Sequence, residues 1–83
     1  MTEKITVDLH PVFRNDRDID NAVRAAIFRA KRENVALVEF IPGKGSGKLK
    51  HRVLAMLNQP HMRKLYRSVE TDAGNDGRVL VHF

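Results

Sequence analysis

Apolar and polar residues alternate at the start of the chain. Ile5, Val7 and Leu9 are separated by the polar residues Thr6 and Asp8. A period of two is typical of a β-strand whose successive side chains face a core and then solvent. The first segment is therefore predicted to be a strand with one buried face.

A helical period follows. Apolar residues recur at spacings of three and one, which places them in one stripe along a helix. The stripe consists of Ile19, Ala22, Val23, Ala26, Ile27 and Ala30. Asp16 and Asp18 precede it, and either carboxylate is suited to cap the N-terminus. The pattern predicts an amphipathic helix of about sixteen residues.

The segment "VALVEFI", residues 35–41, is almost entirely apolar and rich in branched or aromatic side chains. Such a run predicts a central strand with both faces largely covered. A glycine-rich segment comes next, and then Leu49, Val53 and Leu57 recur at helical spacing. A second helix is therefore predicted, ending before Pro60.

The last part of the chain contains a hairpin signal. "RSVETD" and "RVLVHF" flank "AGNDG", whose Asn, Asp and Gly residues favour a tight turn between two strands. The preceding "HMRKLY" fits either a short helical turn or an irregular connector.

The order of these elements indicates a fold class. A strand, a helix and a second strand favour a parallel, right-handed βαβ unit. Two helices are too few to cover both faces of a four-stranded sheet. We therefore predict an α/β fold: a two-layer sandwich of order βαβαββ, with a four-stranded mixed sheet and two helices mainly on one face. Residues 1–83 are expected to form a single domain.

Positive charge is unevenly distributed along the chain. Fifteen Lys and Arg against ten Asp and Glu give a formal net charge of +5. The segment 42–67 carries seven of the basic residues and no acidic one. Such a concentration favours a polyanionic partner, DNA or RNA, over the alternative of a basic face that is only solvated.

Several classes of protein are excluded by composition. The absence of cysteine excludes disulfides and thiolate chemistry, and the four histidines do not have the spacing of a zinc site. No apolar run is long enough to cross a membrane. A soluble cytoplasmic protein is expected, and its oligomeric state stays open. Most aromatic residues fit core or strand positions, and core packing is favoured over base stacking for Phe13 and Tyr66.

Glycines and lysines alternate between the second strand and the second helix, in "PGKGSGKLK". Gly43, Gly45 and Gly47 allow an anion to approach the backbone, and a helix N-terminus attracts negative charge. Lys44 and Lys48 add positive charge. We predict a phosphate-binding loop, with a plain glycine-rich turn as the alternative. The spacing departs from the P-loop and from the dinucleotide fingerprint, so no nucleotide cofactor is expected.

Asp8 and His10 in "VDLHP" are two residues apart, so on an extended segment their side chains share a face. Such a pair can transfer protons, and its oxygen and nitrogen atoms could share a divalent ion such as Mg or Mn. The same pair is also common on open strand faces without a chemical role. Because adjacent parallel strands end at one sheet edge, we expect the pair and the glycine loop side by side. A nuclease site requires such an arrangement.

Two motifs carry a resemblance to a known family. "VDLHP" and "IPGKGSGKLKHRVLAML" resemble, in this order, the two motifs of the Smr (small MutS-related) domain, and the resemblance extends over almost the whole chain. It implies a two-layer sandwich like the C-terminal domain of a bacterial translation initiation factor. It also implies nucleic-acid binding, with DNA nicking or RNA cleavage in several members.

The resemblance also implies roles for individual residues. By position, Asp8 and His10 would be the catalytic pair. The loop that contacts the substrate would consist of Gly43, Lys44, Gly45, Ser46 and Gly47. The basic residues Lys48, Lys50 and Arg52 would extend this nucleic-acid surface.

Pro42 departs from the family pattern. It stands where relatives often have His or Thr, and proline has neither a titratable group nor a hydroxyl. Two functions therefore stay open: an endonuclease that hydrolyses phosphodiesters, and a domain that binds nucleic acid without cutting it. A non-catalytic basic module that binds an acidic protein partner is the alternative from another class.

Overall fold

Four strands and three helices follow one another in the part of the chain that the structure describes. A computed structural model describes residues 4–9, 15–42, 47–71 and 78–83. The elements are β1 (Lys4–Asp8), α1 (Asp16–Glu33), β2 (Leu37–Ile41), α2 (Lys48–Leu57), α3 (Pro60–Arg63), β3 (Ser68–Thr71) and β4 (Val79–His82). The predicted order is confirmed, and "HMRKLY" begins with the helical turn α3. The predicted "AGNDG" turn lies outside the described residues.

The strands form one mixed sheet in the order β1-β2-β4-β3. β1 pairs with β2 in parallel, and β4 is antiparallel to both β2 and β3. β1, α1 and β2 therefore form the predicted βαβ unit. Since the last residue of β1 pairs with the last residue of β2, both strands end at the same edge of the sheet.

A single apolar core lies between the sheet and the helices. Ile5, Val38 and Val81 are register partners across β1, β2 and β4, so their side chains share one face. The stripe of α1 and the apolar residues of α2 pack against this face in the same cluster. Phe40, near the end of the central strand β2, is fully buried. The predicted α/β sandwich with its helices on one face is confirmed.

The N-terminus of α1 is capped by Asn15. Its extended backbone allows the side-chain Oδ1 to accept hydrogen bonds from the N–H groups of Arg17 (2.9 Å) and Asp18 (3.3 Å). The prediction that Asp16 or Asp18 is the cap was wrong, because both residues lie inside the helix. Their carboxylates instead stand in the first turn, where the helix dipole favours negative charge.

The C-terminus of α1 determines where β2 begins. Asn34 adopts the left-handed conformation (φ 55°, ψ 42°), and the N–H of Val35 donates to the carbonyl of Ala30 at 2.9 Å. Val35 thus closes the helix, as the residue after a left-handed cap commonly does. Consequently β2 starts at Leu37, two residues later than the apolar run suggests.

The second face of the sheet contains a buried charge. Glu39, in the middle of β2, is only 6% exposed. Its carboxylate lies 3.2 Å from Nζ of Lys4 and 3.1 Å from Nη1 of Arg78, and it accepts a 3.4 Å hydrogen bond from Oγ1 of Thr6. Both faces of β2 are covered as predicted, but in different ways. Helices cover one face, and side chains of neighbouring strands cover Glu39 on the other.

Within the described segments, no helix combines the length and the apolar character that crossing a bilayer requires.

Candidate nucleic-acid interface

The ends of β1 and β2 bring the two sequence motifs together. Asp8 is in register with Ile41, and the N–H of Leu9 donates to the carbonyl of Ile41 at 3.1 Å. Leu9 is fully buried, so the chain is anchored in the core at this point. Pro42 follows Ile41 and is also buried. The first motif therefore lies beside the entry to the glycine loop.

Asp8 occupies the face of the sheet that the helices leave open. Strand alternation places it on the same side as Thr6 and Lys4, and it is exposed. His10, its predicted catalytic partner, lies outside the described residues. The structure thus places Asp8 where β1 and β2 end, on the face of the sheet opposite the helices' apolar core.

The glycine loop leads directly into α2. Gly43, Lys44, Gly45 and Ser46 lie outside the described residues, whereas Gly47 is described and is the N-cap of α2. Gly47 has φ 84° and ψ 0°, a left-handed backbone conformation that L-residues with a side chain rarely adopt. A Cβ atom built on Gly47 would meet no described atom within 4 Å. Glycine is therefore required here by its backbone conformation.

The first turn of α2 is cationic and has no cap from a described side chain. It contains Lys48 and Lys50 and no acidic residue. Within the described segments neither lysine forms an ion pair, while Lys48 is exposed and Lys50 half-buried. Unpaired N–H groups at a helix N-terminus and nearby lysines together attract an anion such as phosphate.

Arg52 differs from the other predicted contacts because it already has a partner. Its Nε donates to Oδ1 of Asp20 at 2.9 Å, and its Nη2 donates to Oδ2 at 2.6 Å. This two-point contact joins α2 to the second turn of α1. The hydrogen bond and charge of Asp20 raise the pKa of Arg52, so the guanidinium stays charged. Arg52 therefore links the two helices, and its charge is already paired with Asp20.

The Arg52–Asp20 contact gives a test by substitution. We expect Asp20→Asn to raise the affinity for nucleic acid about 2- to 5-fold, because it removes an anion near the first turn of α2 and releases a cation. The slope of log K against log salt should steepen by about one. Titration of labelled oligonucleotide by fluorescence anisotropy measures both quantities. Asp18→Asn is the control, since it makes the same charge change without releasing Arg52; equal effects of both variants would contradict this account.

The described residues do not assemble a metal centre. No three His, Cys, Asp or Glu side chains of these segments come close enough together to hold an ion. Asp8 brings one carboxylate to the sheet edge, and a divalent ion usually takes several oxygen ligands. Since His10 lies outside the described residues, the divalent ion considered from the sequence stays a prediction, and the hydrolysis proposed for this site is written without a metal.

Sequence reasoning missed two features of the structure. One is Glu39 with its two cations, for which the single charged letter in "VALVEFI" was the available signal. The other is Phe28, which is 47% exposed although its helix is amphipathic. Tyr66 agrees with the expectation of core packing: it packs against the core, and its hydroxyl donates to the carbonyl of Leu57 at 2.7 Å. Phe13 lies outside the described residues.

Comparison with known proteins agrees with this architecture. The family model of the Smr domain matches residues 7–83. No curated protein matches the chain. Among solved structures, the Smr domain of Thermus thermophilus MutS2 is similar, with a TM-score of 0.71, and the match covers 98% of this chain and 96% of that chain. The two sequences are 15% identical, so this likeness concerns the fold.

Proposed function

Since the chain belongs to the Smr family, we propose that it binds DNA or RNA through phosphate contacts at the edge where β1 and β2 end. Smr domains are generally associated with nucleic acid. The observation that carries the proposal is the parallel register of β1 and β2. It pairs Asp8 with Ile41, and the sequence then continues through the glycine segment into the cationic first turn of α2.

Phosphate would be bound by backbone N–H groups and by flexible lysine side chains. The first N–H groups of α2 have no acceptor within the helix, so they are available to an anion. Lys48 and Lys50 neutralise phosphates without reading bases, which gives affinity with little sequence preference. The predicted contacts from Gly43, Lys44, Gly45 and Ser46 would complete this surface.

Hydrolysis of a phosphodiester is the second candidate function. In this reaction the imidazole of His10 takes a proton from the attacking water, whose oxygen bonds to phosphorus. The bond from phosphorus to the leaving sugar oxygen breaks, and that oxygen receives the proton. Asp8 orients the imidazole, and Lys44 with the loop amides stabilises the added negative charge. The exposure of Asp8 at the sheet edge favours this role.

Pro42 limits the chemistry at this edge. It is buried and follows β2, where relatives often carry His or Thr. The chain therefore lacks an acid, a base and a hydroxyl at this position. Binding does not depend on such a group, which is why binding is the function we put first. A cytoplasmic location is an expectation of the same proposal.

A competition experiment tests binding. Labelled single-stranded RNA is bound to the protein and then displaced by duplex DNA, by unlabelled RNA or by polyglutamate at equal charge concentration. We expect both nucleic acids to compete and polyglutamate to compete at least about 10-fold less well, because helix N–H groups and lysines match tetrahedral phosphates. Stronger competition by polyglutamate would favour an acidic protein as the partner.

A plasmid assay tests cleavage. Supercoiled DNA is incubated with the protein, in magnesium and in chelator, and nicked circles are quantified. We expect any nicking to be lost in the Asp8→Ala/His10→Ala variant while its affinity for DNA is retained. Equal nicking by the variant would exclude this pair, and absence of nicking with the wild type would leave binding alone.

A further inference from the structure

The outer face of α1 carries an exposed aromatic ring among cations. Phe28 lies on the side of the helix opposite the core, and 47% of its surface is exposed. On a helix with 3.6 residues per turn, residues three, four, seven and eleven positions apart lie on nearly the same side. The residues on this outer stripe are Arg17, Asn21, Arg24, Phe28, Lys31 and Arg32.

The outer stripe has no acidic member. All six of its residues are exposed, and four of them are cations. The acids of the same helix lie outside the stripe. Asp20 binds Arg52, and Asp16 and Asp18 stand in the first turn. Glu33 lies 3.1 Å from Arg29 and 3.8 Å from Arg32. Positive charge is therefore concentrated on one face of α1, although the whole helix carries five basic and four acidic residues.

We propose that the outer stripe is a second nucleic-acid surface, which binds a single strand by stacking one unpaired base on Phe28. This proposal rests on the proposed function, since it extends the binding edge to α1. Arg24 and Arg32 lie one turn on either side of the ring, so they can neutralise the phosphates that flank the stacked base. Paired bases are already stacked on each other, which is why a single strand is favoured over a duplex.

The outer stripe continues the edge site. α1 starts after β1, so its first turns lie toward the edge where β1 and β2 end. The contact between Asp20 and Arg52 joins this part of α1 to α2. From Arg17 to Arg32 the stripe extends roughly 22 Å at 1.5 Å per residue. A strand held at the start of α2 can therefore run on along α1.

A tryptophan at position 28 reports on stacking directly. The chain contains no tryptophan, so Phe28→Trp introduces a single indole fluorophore. We expect its emission to be quenched when a single-stranded oligonucleotide binds and to change much less with duplex DNA at equal occupancy. Absence of quenching while anisotropy shows the oligonucleotide bound would overturn the stacking.

Loss-of-function variants test the energetic role of the stripe. We expect Phe28→Ala to weaken single-strand binding about 5- to 100-fold, the usual effect of losing one stacked base. Arg24→Gln with Arg32→Gln should reduce the salt slope by about 1.4, or about 0.7 for each lost contact. Arg29→Gln is the matched control, because this cation lies about 100° around the helix from Phe28 and makes the shorter contact with Glu33, 3.1 Å against 3.8 Å for Arg32. It should leave the affinity almost unchanged.

The outcomes separate this inference from the proposed function. If the wild type binds nucleic acid and the Phe28→Ala variant binds a single strand equally well, the outer stripe is not a binding surface, while the edge site stands. If the wild type binds neither DNA nor RNA, both proposals fail. If the stripe variants lose affinity for polyglutamate instead, the stripe binds an acidic protein and the nucleic-acid assignment is wrong.

Discussion

Replacing Lys48 and Lys50 together by glutamate is expected to lower the affinity for DNA and RNA by at least about 100-fold. Both lysines belong to the first turn of α2, where the helix end also favours negative charge. The variant would place two carboxylates there, which repel the phosphate that the N–H groups attract. Anisotropy titration at low and physiological salt measures the effect.

The control for this variant makes the same charge change at a distant place. Arg63 and Lys64 are exposed at the end of α3, beyond the far end of α2. Arg63→Glu with Lys64→Glu should therefore weaken binding much less than the lysine pair. An equal loss would mean that net charge alone governs binding, and the proposed edge site would be wrong.

The second large effect concerns stability. Phe40→Ala is expected to lower the free energy of unfolding by about 3–5 kcal/mol, because it removes a fully buried ring from the centre of the sheet and leaves a cavity. A chain of this size typically has about 4–12 kcal/mol in total, so the variant should lose a large fraction of its stability and unfold at a lower urea concentration. Urea unfolding followed by far-ultraviolet circular dichroism measures the change.

Phe28→Ala is the matched control for Phe40→Ala. The substitution is chemically identical, but Phe28 is 47% exposed and its removal opens no cavity. We expect its free energy of unfolding to change by less than about 0.5 kcal/mol. A large loss with Phe28→Ala would mean that the ring packs in solution, and the outer stripe would then lack its stacking platform.

Periodicity alone was sufficient to predict the elements that form the core. The stripe from Ile19 to Ala30 is buried as expected, and the alternation in β1 gives its buried face. The predicted ends of the helices and strands were less accurate, because each end depends on one or two hydrogen bonds. Asn15 caps α1 through its extended backbone, and Val35 is taken up by the end of the helix. Where a helix begins and ends depends on the backbone angles of single residues, and the residue type makes these angles more or less favourable without determining them.

The candidate site could be predicted only where it depends on sheet topology. Parallel pairing of β1 with β2 follows from the βαβ order, and it places Asp8 beside the end of β2. The partner of Arg52 is 32 residues away in the sequence, so no local pattern indicates it. Counting charge along the sequence also missed the exposed cations of α1, since such a count does not show which face of a helix they occupy. Phe28 became visible as a surface residue only in three dimensions.

The buried carboxylate of Glu39 has a consequence for how the sheet assembles. Side chains alternate along a strand, so a slip of β2 by one residue would turn Glu39 toward the helices and Val38 toward water. The carboxylate would then leave Lys4 and Arg78 and enter an apolar interior, at a cost of several kcal/mol. Misaligned pairings are thereby disfavoured during folding, and this central acid selects the one alignment in which the two motifs meet.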